Sequence, residues 1–518
     1  MVHPDDGSPS SQAGDKGRCD PYEQIMTNVS QQDGPRPHPE PGDKIVAEIR
    51  SRLTFNLDVD VVVVGAGLAG LTVAREAARM GASVAVLEGR HIGWNASGHH
   101  LGGVMPGFGT PVTDLIARVG IEDARELWGL SKEGADYVRA AAQEHLIPGI
   151  SLREGALEVS NIESGDQLLG RLQTLSEDFQ TEVEGWQADR VRETLGTRRY
   201  FHGIFFPSAF QIDPRKYVHG LADLARREGV RIFEETPVIS IDPSGIRKRV
   251  ITPSARLRAS HIVLAGNVHL GVLLRRLSDT LVPVWRHAAV SAPLGSRLLE
   301  LMQFRGMVSD TDGIDQFRVF DGDRLMWSSP ETTWQSSPAR FAGAIQRRIA
   351  TVLPKLGNVE IADTWSGVFG QTVHGMPQIG ELRPGLWIAS GFGRQGLNTT
   401  AMGGLAVARG MLWGDDRWKL FSPFELVWAG GAAGRAVGQA ILSWSRASAT
   451  AAGALARYRE HGRIKERQRE IRLANANRQA RAMAAQRRPP GAGPAQKPLP
   501  AQQAEPASPR GEADGGAS

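Results

Sequence analysis

Residues 65–70 read GAGLAG and follow directly on the β-branched run Val61 to Val64. In this spacing Gly65 permits a tight turn, Gly67 lets the backbone approach a pyrophosphate, and Gly70 lets the following helix pack on the preceding strand. Ala66, Leu68 and Ala69 fill the gaps, and the free amides and positive dipole end at the helix start suit a phosphate. Glu88 stands eighteen residues after Gly70, at the end of the next expected strand, Ser83 to Leu87. A carboxylate there suits a ribose hydroxyl pair and argues against a 2′-phosphate, which points to FAD or NAD rather than NADP.

A second glycine-rich turn lies far downstream, in SGFGRQGLNTTAMGG. The strand Leu386 to Ser390 runs into Gly391, Gly393 and Gly396, and Asn398 or Thr399 is expected to cap a new helix. Such a turn either serves geometry alone or aims a second helix N-terminus at a redox ring, where it would stabilise the negative charge of a reduced flavin. Between the two turns, GWNASGHHLGG sets His99 and His100 in a loop built of small residues.

The elements that must position these residues are α/β in pattern. Strand, glycine turn, helix to Met80, a stop at Gly81 and a second strand make one βαβ unit. Residues 111–210 alternate helical stretches with short strands. Arg215 to Glu228 reads as an amphipathic helix, Val230 to Phe233 as a short strand and His261 to Ala265 as a buried one. From Pro283 to about Trp327 the pattern turns to strands, with a hairpin at Asp321-Gly322-Asp323. The nucleotide-binding unit and a second layer are thus interleaved along the chain.

The 518 residues allow two or three domains, but the ends are polar and low in complexity. The head has no apolar run fit for a signal peptide, so secretion is not expected and a cytoplasmic setting is. The single cysteine, Cys19, lies in that head, which leaves no intrachain disulfide and no cysteine-ligated metal site. The net charge of +4 conceals an uneven distribution. Residues 457–488 carry eleven Lys and Arg against three Glu, a surplus of eight, so the remainder stands at −4. The folded part gives no sign of binding a polyanion, and no nucleic-acid partner is expected.

DVVVVGAGLAGLTVAREAARMGASVAVLE, IGWNASGHHLGG, QIDPRKYVHGLADLARREGVRIFEETPVISI, IVLAGN, FRVFDGDRLMW and GLWIASGFGRQGLNTTAMGGLAVARGM run in this order over residues 60–411. The chain resembles the D-amino acid oxidase superfamily of FAD-dependent oxidoreductases, in particular bacterial amine oxidases of the gamma-glutamylputrescine oxidase kind, with glycine and sarcosine oxidases as cousins. The resemblance implies an α/β fold in which a Rossmann-like FAD-binding domain is interleaved with a mainly antiparallel β-sheet substrate domain. The expected segments are a disordered head over 1–56, FAD-binding segments 57–110, 211–280 and 357–413, and substrate segments 111–210 and 281–356. A C-terminal helical segment at 414–456 and a basic, then low-complexity tail at 457–518 follow.

Carried over, Gly65 to Gly70 would hold the pyrophosphate, and Glu88, Gly89 and Arg90 would lie at the adenosine ribose. Ala96, Ser97 and Gly98 would pass under the phosphates, with Leu101, Gly102 and Gly103 continuing toward the ring. Val238 would meet adenine through its backbone, and Gly391, Gly393, Arg394, Gln395, Gly396, Leu397 and Asn398 would contact the flavin. The implied reaction passes a hydride to FAD from the carbon next to an amine of a small-molecule amine or amino acid. Water hydrolyses the resulting imine, and oxygen or an electron carrier takes the electrons; an alternative that the resemblance leaves open is a flavin domain acting on a modified tRNA base, with the cationic tail holding the RNA.

Departures from the family pattern fall at the histidines. Relatives usually read Ser-Gly-Arg-Asn-Gly-Gly where this chain reads Ser97 to Gly103, one residue longer and with histidine in place of arginine. FGQTVHGMPQIG lacks the cysteine that tethers flavin in some sarcosine oxidases, and Gln371 stands nearest that position. A histidine tether, a noncovalent place beside flavin or substrate, and a surface role remain open for His99 and His100, with His100 the preferred pocket residue. Arg318 in QFRVF either pairs a substrate carboxylate or is a plain strand arginine, and His374 and Trp365 either line the pocket or belong to core and loop. His100 and Arg318 are the catalytic candidates; no metal ligand is assigned. Finally, Gly430, Gly434 and Gly438 recur every four residues in ELVWAGGAAGRAVGQAILSWSR, between Trp428 and Trp444. This segment is too short and polar for a transmembrane span; it is either a helix packed on its own body or an interfacial helix at the inner face of a membrane.

Overall fold

The computed structural model describes residues 52–486, apart from 144–146, 312, 314 and 329–330. The expectations for the head before residue 52 and for 487–518 lie outside the described residues. Leu53, assigned to the head by a boundary at 56, is buried, and its N–H donates to Thr236 Oγ1 at 3.1 Å. The chain divides into two compact units between Ala456 and Arg457.

The β-branched run forms the middle of a six-strand path. Leu57–Val64 pairs in parallel with Val84–Leu87 on one side and Arg256–Leu264 on the other. Arg231–Phe233 and Leu386–Ser390 extend the two flanks in parallel, and Gln378–Arg383 closes one edge antiparallel. Val61, Val62 and Val63 have no exposed surface, as a strand covered on both faces requires. Each such side chain contributes about 1.5–3 kcal/mol by leaving water, which fixes the register in which the GAGLAG turn emerges.

Helix Leu68–Arg79 follows that turn at once and ends at Met80, with Gly81 in the left-handed region at φ 90°. Pro214–Arg227 begins where its sequence says it should. The Asp213 carboxylate accepts from the amides of Arg215 (2.9 Å) and Lys216 (3.1 Å), and Pro214 occupies the first turn, where no amide is needed.

The second sheet runs Ile361–Gln371, Val282–Ser291, Arg324–Ser328, Gln316–Phe320, Met307–Asp310, Arg153–Val159, Gly203–Gln211 and Gly103–Val104. Met307–Asp310 and Arg153–Val159 pair in parallel, and the other neighbours are antiparallel. Gly103–Val104 and Ile361–Gln371 therefore reach into this sheet from the sequence of the nucleotide-binding half. The hairpin turns at Asp321 (φ 47°) and Gly322 (φ 81°) and sets Phe320 opposite Arg324. Helix Ala339–Val352 buries Ile345, Ile349 and Val352 on this sheet, near the stacked rings of Phe317 and Trp327.

The C-terminal segment is longer than the sequence pattern suggested. Helix Gly431–Gln486 is continuous over 56 residues, because Ala, Arg, Gln and Glu favour helix throughout and Gly453 and Gly462 do not suffice to break it. Within the first unit, Gln439 Oε1 accepts from the Thr333 amide at 2.9 Å, and the Thr333 hydroxyl donates to Arg435 O at 2.9 Å. Added as a methyl group, a Cβ on Gly438 would stand 3.5 Å from Thr333 Cγ2 and 3.7 Å from Val282 Cγ1, so this small residue faces a loop and a strand. Of the second unit, residues 461–483 are helical and exposed.

Candidate functional site

The first glycine turn is closed by contact as well as by conformation. A Cβ at Gly70 would lie 2.1 Å from the carbonyl oxygen of Gly65, so only glycine lets helix and strand approach this closely. The buried Glu88 carboxylate braces the same turn: Oε2 accepts from the Ala66 amide and Oε1 from the Arg90 amide, both at 2.8 Å. Burial pushes the Glu88 carboxyl up, and these two bonds oppose the shift. Arg90 stacks over Trp94 at 4.6 Å, and the buried Val238 follows Pro237, which stands near Gly89.

Residues 95–103 tie that turn to the second sheet. Ser97 Oγ accepts from the Leu68 amide at 3.2 Å, at the start of the helix. Asn95 Oδ1 accepts from Val368 N at 2.9 Å, and Trp365 Nε1 donates to His99 O at 3.2 Å. Gly367 makes this crossing possible, since a Cβ there would stand 3.2 Å from Ala96 Cα and 3.4 Å from His99 Cβ. Trp365 thus anchors the loop and does not line the cavity; His374, bonded to Met376 N and Glu425 O, does not line it either.

The two histidines are held differently. His99 Nδ1 donates to Asn95 O at 2.9 Å, whereas His100 Nδ1 accepts from Gly102 N at 3.0 Å. The neutral His100 therefore carries its proton on Nε2, a buried atom with no partner among the described residues. Burial, aided by the Arg318 guanidinium, lowers the His100 pKa to about 3, and burial lowers that of His99 as well.

The second glycine turn follows Leu386–Ser390, with Gly391 at φ 66° and Gly393 at φ 64°. Helix Gly396–Trp413 starts one residue after Gln395 with no side-chain cap, contrary to the expected capping by Asn398 or Thr399. Asn398 is buried and donates instead to Gly107 O at 2.9 Å, while the Thr399 hydroxyl donates to Gln395 O. Both side chains lie inside the first helical turn, where they satisfy carbonyls and leave the leading amides free.

These loops and the second sheet enclose a cavity of about 940 Å³. Of the residues singled out from sequence, it brings together Leu68, Ala96, Ser97, both His99 and His100, the run Leu101 to Gly103 and the run Gly393 to Asn398. Gly65, Ala66, Gly67, Ala69, Gly70, Glu88, Gly89, Arg90, Gly98, Val238 and Gly391 lie off it, along the turns and strand ends that lead away. Arg318 also lies off it: it is buried, with Nη1 donating to Ile212 O at 3.1 Å and Nε and Nη2 unpaired among the described residues. Burial lowers its pKa to about 10.

The cavity's charged wall was not evident in the sequence. Arg394 grips Glu331 with Nε at 3.0 Å from both carboxylate oxygens and Nη2 at 2.6 Å from Oε2. Arg286 Nη2 stands 3.6 Å from Glu331 Oε1, and its Nη1 donates to Gln316 Oε1 at 2.8 Å. Burial works against the Glu331 charge, but the Arg394 and Arg286 guanidiniums hold its carboxyl below the usual range. Arg286 and Arg394 both line the cavity, where they can meet an anionic group. Nothing in VPVWRHAAV or PETTW marks Arg286 or Glu331. They meet because Trp285 pairs with Thr332 in an isolated bridge. Asn95 and Gly367 escaped notice for the same reason: each matters only through the other's segment.

A glycine cradle that a Cβ would fill, a helix start that follows it and the cavity beyond fit a dinucleotide with a ring at its far end. The family described as "FAD dependent oxidoreductase" (DAO) matches residues 60–409. The chain is 28% identical to the "Probable oxidoreductase OrdL" of Haemophilus influenzae, over 71% of this chain and 86% of that protein. It is 26% identical to the "Gamma-glutamylputrescine oxidoreductase" of Escherichia coli, over 71% and 87%. The fold is similar to the crystal structure of glycine oxidase from Geobacillus kaustophilus at a TM-score of 0.59 and 23% identity, covering 72% of this chain and 99% of that one.

Proposed function

The chain belongs to the DAO family of FAD-dependent oxidoreductases, and we propose that it oxidises the carbon–nitrogen bond of a small amine or amino acid. One observation carries this reading: Ala96, Ser97, residues 99–103, the turn Gly393 to Asn398, Arg286 and Arg394 line a single cavity. When bound, FAD supplies the hydride acceptor for the carbon that bears the nitrogen. The first sheet and its helices are the FAD-binding part in this reading, and the second sheet is the substrate part.

The turn Gly65 to Gly70 and the start of Leu68–Arg79 hold the pyrophosphate, Glu88, Gly89 and Arg90 the adenosine ribose, and Val238 the adenine. Ala96 to Gly98 and Leu101 to Gly103 pass beneath the phosphates toward the ring, which the turn Gly391 to Asn398 contacts. His100 orients and does not act as a base. Its Nδ1 lone pair is taken by Gly102 N–H, so the neutral ring has no free acceptor for the amine's proton. Burial, with the Arg318 guanidinium as a lesser cause, keeps His100 neutral. Arg286 faces the acidic end of a substrate that has one, while Glu331 keeps Arg394 turned to the wall.

Oxygen is the acceptor in the leading reading, giving hydrogen peroxide. The second reading, electron delivery to a carrier or quinone at a membrane, is favoured by the exposed apolar side chains near the C-terminal helix. Aerobic turnover of purified protein with polyamines, N-methyl amino acids and gamma-glutamyl amines tests both. Peroxide formed one-for-one with amine consumed supports the oxidase; dye reduction without peroxide supports the dehydrogenase. Neither product with any amine removes the reading.

A further inference from the structure

No helix among the described residues is long and apolar enough to cross a membrane. The C-terminal helix, which lies beyond the residues matched by the family, is instead fixed at its start to its own unit. Its anchors share one side. Gln439 is buried and takes the Thr333 amide, the Thr333 hydroxyl donates to Arg435 O, and Gly438 faces Thr333 and Val282. At ~100° per residue, Arg446 returns to that side seven residues after Gln439, and the buried Gly453 seven residues after that. Nη2 of Arg446 is buried, with no partner among the described residues.

The segments under this side are those that carry the cavity's charged wall. Thr333 stands two residues after Glu331, and Thr332 pairs with Trp285, the neighbour of Arg286. Val282, beside Gly438, begins the strand on which Arg286 and the buried His287 lie. Arg446 comes to this place from behind the wall, since it does not line the cavity. Burial opposes the Glu331 charge, and Arg394, Arg286 and, after them, Arg446 hold its carboxyl below the usual range. Burial lowers the pKa of Arg446, and Glu331 opposes that shift. Burial, and after it the Arg446 charge, also lowers His287. Three guanidiniums thus converge on one buried carboxylate, two from the cavity and one from the helix.

We propose that Arg446, placed by the bonds between Gln439, Arg435 and Thr333, positions Glu331, and that Glu331 in turn sets Arg394 and Arg286 on the cavity wall. Arg446 is a positioning residue: it acts through Glu331 and meets no ligand. Glu331 grips Arg394 but stands 3.6 Å from Arg286, so Arg286 keeps charge to offer an anionic group in the cavity. A cation behind Glu331 holds the carboxylate back from Arg286. Without it, Glu331 can close that gap and quench the charge that a ligand would meet. If the helix only packed, any side chain of similar bulk would serve at position 446. The proposal rests on the reading above that the substrate enters this cavity.

The test uses the full-length, flavin-loaded protein and two measurements. One is KM and kcat for a carboxylate-bearing amine that is turned over; the other is the dissociation constant of propionate, which has no amine to oxidise, by calorimetry. Arg446→Met is expected to raise KM and weaken propionate binding roughly threefold or more with kcat little changed, because the wall holds the ligand without joining the hydride transfer. Arg446→Lys should restore most of both. Introduced into Glu331→Gln, Arg446→Met should shift neither constant further. Unchanged constants in Arg446→Met, equal effects of methionine and lysine, or full additivity with Glu331→Gln would each overturn the proposal. Amine turnover with unmoved constants would do so while leaving the reaction standing. Propionate binding that shifts as expected with no amine turned over would uphold the proposal and remove the reaction. Native protein that binds neither propionate nor any amine would overturn it too. If Arg446→Met loses flavin, Thr333→Val decides: it keeps Arg446 but loses the hydroxyl bond to Arg435 O. Its constants are expected to move in the same direction, and unmoved ones would overturn the proposal.

Discussion

The GAGLAG turn and the Glu331 wall are specified in opposite ways. The turn is a matter of backbone: six consecutive residues, one strand and one helix, with a carboxylate from the next strand bonded to two amides. The wall is a matter of side chains, from positions 286, 331 and 394, which meet only after the second sheet has formed. The turn can therefore hold one ligand group in any chain that carries the motif. The wall can be rebuilt without touching the turn, which suits a family that keeps its cofactor while its substrates vary.

This difference can be broken most sharply at Gly70. In Gly70→Ala the new methyl carbon would meet the Gly65 carbonyl oxygen at 2.1 Å, so the helix start must move. The purified protein is expected to be colourless and to melt earlier; a yellow Gly70→Ala protein would show that the close approach is dispensable. Glu331→Ala should act in the reverse sense. It leaves buried cations without their counter-charge and costs about 3–5 kcal/mol in denaturant unfolding, yet the protein should stay yellow as purified. Adding Arg394→Met to Glu331→Ala should recover part of that loss, and strict additivity would mean the pair is not coupled.

His100→Ala is expected to lower turnover roughly tenfold or more, because the ring that holds Gly102 N–H at the cavity is lost, while hardly changing the melting temperature at neutral pH. Unaltered turnover and flavin spectrum would return His100 to a packing role. Its titration also has a signature. Burial depresses His100 to about 3, and His269 and His287 each to about 4, against 6.5 when unfolded. Below pH 6.5 the unfolded chain takes up protons that the folded one refuses, so stability is fully present above 6.5 and is lost as pH falls toward 4 and below. Melting temperature against pH should show this decline, less steeply in His287→Gln. Turnover should show no inflection near 6.5 that disappears in His100→Ala. The smallest effect is expected for Gln439→Ala, about 1 kcal/mol from the lost bond to Thr333, measured by denaturant unfolding.

Most of the turn was legible because its information is local. Val61 to Val64, Gly65, Gly70 and Glu88 carry their spacing in the sequence, and the strand pairing, helix start and buried acid follow from it. The second glycine turn was legible as a turn but not in its capping, because Asn398 is claimed by Gly107, almost three hundred residues earlier. Arg318 read as either a pocket residue or a plain strand arginine and lies off the cavity, whereas Arg286, two strand pairings away in the same sheet, lines it. The C-terminal helix was expected within 414–456, yet Ala, Arg, Gln and Glu carry it on past Gly453 and Gly462 to Gln486, and its Gly438 faces Thr333 and Val282 of the chain's own body.

Anaerobic titration of the flavin-loaded protein with the amine panel tests the shared cavity most directly, because it removes the acceptor from the question. At least one amine is expected to bleach the yellow colour in proportion to the amount added, and to do so more slowly in His100→Ala and more weakly in Arg286→Met. Colour that persists with every amine, in a protein whose flavin a chemical reductant still bleaches, would contradict amine oxidation in this cavity.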